Sequence, residues 1–214
     1  MTEPLTRGLF ITLEGGEGAG KSTQARLLDD ALARRGRKVL RTREPGGAPG
    51  AEQLREFLLK GDHGLSLRAE VLLHFAARLD HIERTIRPAL DAGQVVICDR
   101  FFDSTLAYQG YGLAHGDPAL LEFIARLIDL TGLMPNLTLL LAVPRTLART
   151  RMQQRGGGSD RYERLDEAFH LRVADGFRRI ADQAPGRIAT IDAGGDVEQV
   201  QQALLTEIDR RLPA

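Results

Sequence analysis

The sequence predicts an α/β fold, a five-stranded parallel sheet with helices on both faces. Three observations carry this reading. Short apolar runs alternate with longer amphipathic stretches along the 214 residues, and strands separated by helices pair in parallel and are covered on both faces. A glycine-rich loop, residues 15–22, joins the first strand to the first helix. Charged residues, Arg43-Glu44 and Asp99-Arg100, fall at the carboxyl ends of strands, where sheets of this kind hold their ligands.

The elements follow in order. Leu9–Glu14 (LFITLE) reads as a buried strand and Lys21 onward (KSTQARLLDDALARR) as a helix. Val39–Thr42 is the second strand. Ala51–Leu59 is helical, with Ala51, Leu54 and Leu58 on one face. Leu67–Leu90 is a long helical stretch with an expected break before Pro88. Val95–Cys98 is a short strand ending at Asp99, and Pro118–Leu130 is a helix striped by Leu121, Ile124, Leu127 and Ile128. Leu137–Val143 is the fourth strand. Pro144–Gln154 is a helix with Pro144 in its first turn, interrupted by Gly156-Gly157-Gly158-Ser159. Helix resumes from about Asp166 to Gln183, Arg187–Asp192 is the fifth strand, and Val197–Leu212 closes the chain. No repeat, low-complexity block or linker divides it, so residues 1–214 are expected to form one domain.

Composition narrows the function classes. Twenty-nine basic and 29 acidic residues leave a formal net charge of zero, which argues against a partner that is a nucleic-acid polymer. The single cysteine, Cys98, excludes a disulfide framework and a four-cysteine zinc site. It lies in an apolar run and reads as a small core residue. No signal peptide and no apolar stretch of membrane-spanning length is present, so a soluble, cytoplasmic protein without a membrane partner is expected.

The loop Gly15-Gly16-Glu17-Gly18-Ala19-Gly20-Lys21-Ser22 fits G-x-x-x-x-G-K-S. Its place between strand and helix makes it a phosphate-binding loop. Glycines let successive backbone N–H groups converge on phosphate oxygens at the positive end of the helix. Lys21, one of three lysines in the chain, would reach the β- and γ-phosphates of a nucleoside triphosphate, and Ser22 would ligate Mg²⁺. Val95–Asp99 has the Walker B form, four apolar residues and then a carboxylate delivered near the metal. Arg100 adds a planar fork suited to phosphate oxygens. Residues 145–164 hold six arginines (Arg145, Arg149, Arg151, Arg155, Arg161 and Arg164) against two acids, Asp160 and Glu163. A solvated helix face is the usual source of such a run. Glycines within it favour instead a phosphate-covering lid. In Glu70–Arg78 (EVLLHFAAR), His74 and Arg78 share a helix face. Their plain alternative is a core stripe of Leu72, Phe75, Ala76 and Leu79 with Arg78 in solvent.

Together these segments resemble the thymidylate kinases. The likeness spans almost the whole chain: LEGGEGAGKST (13–23), TREPGG (42–47), the Glu52–Arg55 helix start, EVLLHFAAR (70–78), RPAL (87–90), DRFFDSTLAYQG (99–110), MPNLTLLL (134–141) and DRYE (160–163). The resemblance implies a P-loop nucleoside monophosphate kinase-like fold and transfer of phosphate from ATP to dTMP. It implies that Lys21, Arg155, Glu17 and Asp99 serve catalysis, with Arg155 as the lid arginine and Ser22 and Asp99 at Mg²⁺. Residues Gly15, Gly16, Glu17, Gly18, Ala19, Gly20, Lys21, Ser22 and Thr23, with Arg149 and Arg151, would bind ATP. Arg55 and Arg100 would hold the phosphate of dTMP, and Arg78 the thymine carbonyl. Thr105 and Gln109 would lie along the other edge of the base, and either His74 or Phe75 would stack on it. Tyr108 would pack near the deoxyribose, and Pro45 would wall the pocket with Glu44 beside it. The family also implies a homodimer.

Three other readings compete. The nearest is another P-loop small-molecule kinase, such as a deoxynucleoside kinase or a different nucleoside monophosphate kinase; Arg55 and Arg100 argue for an acceptor that already carries phosphate. A GTPase switch reads guanine with Asn-Lys-x-Asp, whereas the one asparagine here, Asn136, precedes Leu137. A regulatory nucleotide sensor without turnover would not need the intact Lys21, Asp99 and arginines of 145–164.

Overall fold

A computed structural model describes residues 8–60, 63–155 and 161–211. Five strands form one parallel sheet: β1 (Leu9–Glu14), β2 (Val39–Arg43), β3 (Val95–Asp99), β4 (Leu137–Ala142) and β5 (Ile188–Asp192). Their order across the sheet is β2-β3-β1-β4-β5. Chain order reverses on either side of β1, so the loop after β1 sits at the switch point, where open sheets part to admit a ligand.

The helices are α1 (Lys21–Arg34), α2 (Pro49–Lys60), α3 (Leu67–His81), α4 (Arg87–Asp91), α5 (Phe102–Thr105), α6 (Pro118–Thr131), α7 (Arg145–Arg155), α8 (Glu167–Gln183) and α9 (Val197–Arg211). Side chains alternate across β1. Ile11 and Leu13 face the layer of α1 and α9, meeting Leu28, Leu32, Leu204 and Ile208. Phe10 faces the other layer, with Val71, Phe75, Ile86, Phe101 and Ile124. A third cluster joins Tyr108, Tyr162, Phe169, Val173 and Phe177 beside Leu140 and Ile188.

Two differences from expectation have physical causes. The break before Pro88 does not occur. Ile82–Ile86 widens into a π-helical turn between α3 and α4, its Ile82 carbonyl accepting from Arg87 N–H, and Pro88 is the second residue of α4, so the helix passes the proline through a π-turn rather than ending before it. No element is predicted between Asp99 and Pro118, yet α5 forms there and continues into a π-helical stretch, Leu106–Leu113. Its glycines are packing requirements. A Cβ at Gly110 would lie 2.6 Å from Leu121 of α6, and one at Gly112 would lie 2.6 Å from Phe169 of α8. The Gly156–Ser159 run and Asp160 lie outside the described residues.

Candidate active site

The phosphate loop leaves β1 through Gly15, whose φ of 138° suits glycine and whose Cβ would meet the Leu141 carbonyl at 2.5 Å. Lys21 opens α1 and is buried. Its Nζ donates to the carbonyls of Gly15 (3.1 Å) and Gly16 (2.9 Å). Burial and the neighbouring Arg100 lower its pKa, while Glu17, Asp99 and Glu14 oppose the shift. Ser22 Oγ donates to Asp99 Oδ2 at 2.6 Å. Among the described residues no three His, Cys, Asp or Glu side chains converge. One hydroxyl beside one carboxylate, all oxygen, fits Mg²⁺, which takes most of its other ligands from water and phosphate.

Arg100 follows β3 with φ 71°, a region that non-glycine residues seldom occupy. Its fork points across the loop. Nη1 donates to the Gly15 carbonyl (2.9 Å) and to Ser104 Oγ (3.1 Å). Nη2 donates to Glu17 Oε1 (2.6 Å) and to the Tyr108 hydroxyl (3.0 Å), and Tyr108 also donates to Glu17. Burial alone would lower the pKa of Arg100, but Glu17 foremost raises it, so the guanidinium stays charged. Beneath the loop, the buried carboxylate of Glu14 accepts from Phe101 N–H (2.8 Å) and Ser104 Oγ (2.6 Å). Burial, then Asp103, lifts its pKa to about 7.

The other end of the cleft is built on α3. Glu70, His74 and Arg78 recur at helical spacing and are all buried, whereas Leu72, Ala76 and Leu79 face outward. The core-stripe alternative is thereby reversed except at Phe75, which is core. Arg78 donates from Nε to Glu44 Oε2 (2.7 Å) and from Nη2 to Thr105 Oγ1 (3.1 Å). The same Glu44 meets His81 Nδ1 at 3.1 Å, and His81 Nε2 lies 2.7 Å from Thr42 Oγ1. Nη1 of Arg78 is buried without a hydrogen-bond partner, and the residue lines the cleft. A buried, unmet donor is costly unless a ligand oxygen takes it. His74 is held neutral, with burial first and Arg78 second bringing its pKa down to about 3.

One cleft of about 1190 Å³ joins these two ends, lined from Glu17–Gln24 to Glu44, Pro45, His74, Arg78, Thr105 and Gln109. The thymidylate kinase family model matches residues 13–204. The chain belongs to the thymidylate kinase family. A thymidylate kinase of Gluconobacter oxydans is 56% identical over 206 residues, 96% of each chain. One from Caulobacter vibrioides is 49% identical over 212 residues, 97% of this chain and 99% of the other. The crystal structure of thymidylate kinase from Ehrlichia chaffeensis matches with a TM-score of 0.75 at 33% identity, covering 95% of this chain and 99% of that one.

Within this thymidylate kinase scaffold the remaining expected residues fall as follows. Arg55 lines the cleft and donates to the Pro45 carbonyl at 2.6 Å. Thr105, Tyr108 and Gln109 line it too. Of the two candidates for stacking, His74 borders the cleft. Phe75, one residue and a large fraction of a turn further round the helix, lies in the core under the Arg78 guanidinium at 4.6 Å. Arg151 reaches the cleft and donates to the carbonyls of Ala193 (2.9 Å) and Gly195 (3.2 Å), while Arg149 is exposed and does not line it. Arg155 ends α7, and its side chain lies outside what the structure describes. Sequence reasoning assigned nothing to Glu70, His81 or Tyr162. For Glu70 a signal existed, a charged residue four before His74 and eight before Arg78 on the inward face.

Proposed function

We infer that the chain transfers the γ-phosphate of ATP to the 5′-phosphate of dTMP, giving ADP and dTDP. The observation that supports this best is the single cleft with a phosphate loop at one end and the unmet Arg78 donor at the other. ATP lies along residues 15–23, with Arg151 at its base end. Ser22 and Asp99 hold Mg²⁺, which there offsets triphosphate charge. Lys21 exchanges its two loop carbonyls for phosphate oxygens. Burial disfavours its charge until that exchange, so the ammonium is most needed when the nucleotide is present.

Arg55 and Arg100 grip the acceptor phosphate. Arg100 trades part of its Glu17 and Tyr108 contacts for phosphate oxygens, and Glu17 remains to keep the fork aimed. Arg78 gives its free Nη1 to the thymine carbonyl O4, with Thr105 and Gln109 along the next edge, His74 against the ring and Tyr108 near the sugar. Arg155 and the rest of segment 145–164 close over the phosphates. No covalent intermediate is needed, since in-line positioning and charge neutralisation supply the catalysis.

Residues 1–214 act as one domain, the working form is a homodimer, and the place of work is the cytoplasm. Among the described residues no helix is long and apolar enough to cross a membrane. A coupled assay of ADP release over dTMP, dUMP, thymidine, dCMP and GMP tests the reading. dTMP should be the best acceptor and thymidine should be inert. Turnover of thymidine, or preference for another monophosphate, would overturn it.

A further inference from the structure

Gln109 lines the cleft close to Arg78, and three polar groups surround its amide nitrogen. Nε2 lies 3.1 Å from Glu70 Oε1, 2.8 Å from the Tyr162 hydroxyl and 3.4 Å from His74 Nε2. An amide's oxygen and nitrogen are told apart by such partners. Glu70 is fully buried and ionised. Burial alone would raise its pKa, but hydrogen bonds from Arg161, Gln109 and Tyr162 bring it below the ordinary value. An ionised carboxylate only accepts. Tyr162 spends its proton on Glu70 Oε1 at 2.9 Å, so its oxygen can only accept from Gln109. His74 is neutral. Turning the amide over would set its oxygen against the carboxylate and against a phenol oxygen whose proton is already given. The nitrogen therefore faces Glu70, and the oxygen is what Gln109 offers to the cleft.

We propose that Glu70 is a positioning residue for base selection, acting through Gln109. By holding the amide nitrogen, it presents to the base an acceptor beside the Arg78 donor. Thymine offers the complement, an acceptor at O4 and a donor at N3–H. Cytosine offers the reverse, a donor at N4 and an acceptor at N3, and meets like against like at both positions. Uracil shares the thymine edge, so Glu70 separates dTMP from dCMP and not from dUMP. Arg161 Nη1, 2.7 Å from Glu70 Oε2, keeps the carboxylate ionised and ties the far end of the 145–164 segment to the same point. The proposal rests on the functional reading above.

The test is kcat/KM at saturating ATP for dTMP, dUMP and dCMP in the full chain, in E70Q and in E70Q/Q109E. In E70Q the partner becomes an amide that can turn, so Gln109 is free to turn with it. The dTMP-over-dCMP ratio should fall about tenfold or more, with the dTMP-over-dUMP ratio unmoved. The double variant reverses the pair. The amide at position 70 then donates to the carboxylate at position 109, which again shows an acceptor to the base, and the dTMP-over-dCMP ratio should recover. A merely structural Glu70 would lower all three substrates together, which overturns the proposal. Should E70Q lose its cooperative unfolding transition, a folded double variant decides by its ratio alone. In the unmodified chain the Gln109 side-chain amide protons should exchange with solvent far more slowly than those of a free glutamine, and exchange at the free rate overturns the proposal without any variant. If the unmodified chain itself does not favour dTMP over dCMP, the functional reading falls along with this proposal. If it does and E70Q keeps the ratio, this proposal falls alone.

Discussion

Lys21 and Arg100 are both buried cations, yet the structure treats them differently. Burial with Arg100 lowers the Lys21 pKa, while Glu17 outweighs burial at Arg100. Lys21→Ala should therefore leave the fold intact and remove nearly all turnover, because the loop loses its one ammonium at the migrating phosphate. Near wild-type turnover in a variant with unchanged circular dichroism would refute the assignment. Arg100→Ala should weaken dTMP far more than ATP, by roughly 1.5–3 kcal/mol for the lost charge-assisted bonds. It also removes the Arg100 bond to Glu17, whose carboxylate stays near the acceptor phosphate. Separate calorimetric titrations with the two nucleotides check this, and an unchanged dTMP affinity would refute the placement.

At the scale of elements, α7 carries the arginines expected to meet the phosphates. They point to different duties. Arg151 pins α7 to the carbonyls of Ala193 and Gly195, so Arg151→Ala should raise the KM for ATP. Arg149 is exposed, and its alanine variant should be close to silent. Arg155→Ala should lower kcat and kcat/KM together with KM little changed, as expected of a contact made mainly in the transition state. Steady-state kinetics on the three variants separates these outcomes. A turnover defect at Arg149 or Arg151 in place of Arg155 would move the catalytic arginine along the helix. Helix α3 shows how far an element is legible before folding. Its helical spacing is plain in the sequence, but Leu72, Leu79 and Arg78 could each be assigned to either face. The packing turns Arg78 in, because Glu44 and Thr105, distant in sequence, supply its partners.

For the molecule as a whole, two buried groups pull stability in opposite directions with pH. Glu14 has a folded pKa of about 7 against an ordinary 4.5. Between those values the native state binds more protons than the unfolded chain. The contribution of Glu14 therefore favours folding at low pH and is lost as pH rises through the window. His74, at about 3 against 6.5, does the reverse, its contribution lost as pH falls from about 6.5 toward 3. Glu14→Gln keeps the shape and removes one titration. The difference in Tm between variant and wild type should climb from pH 4.5 to pH 7.5 and then level off. A difference constant with pH would sink this account. The exposed stripe of Leu72 (49%) and Leu79 (39%), with Ala76 between them, is an apolar face that the proposed homodimer would cover. Leu72→Asp should shift sedimentation from dimer toward monomer without loss of helix. A wild-type chain that sediments as a monomer would refute the homodimer.

Five strands, most of the helices and the phosphate loop could be read from the chain alone. These depend on neighbours in the chain, on periodicity and on glycine spacing, all of which are local. The helix after Asp99 was not legible, because Gly110 and Gly112 answer to α6 and α8 rather than to their own segment. Long-range packing sets which of His74 and Phe75 borders the cleft, which donor of Arg78 is left over, and which way the Gln109 amide points. Each depends on partners 27 to 91 residues away, at Thr105, Glu44, Tyr162, Glu70 and Arg161. A buried polar side chain takes its orientation from whichever groups the fold brings within hydrogen-bond reach, and no local pattern encodes them.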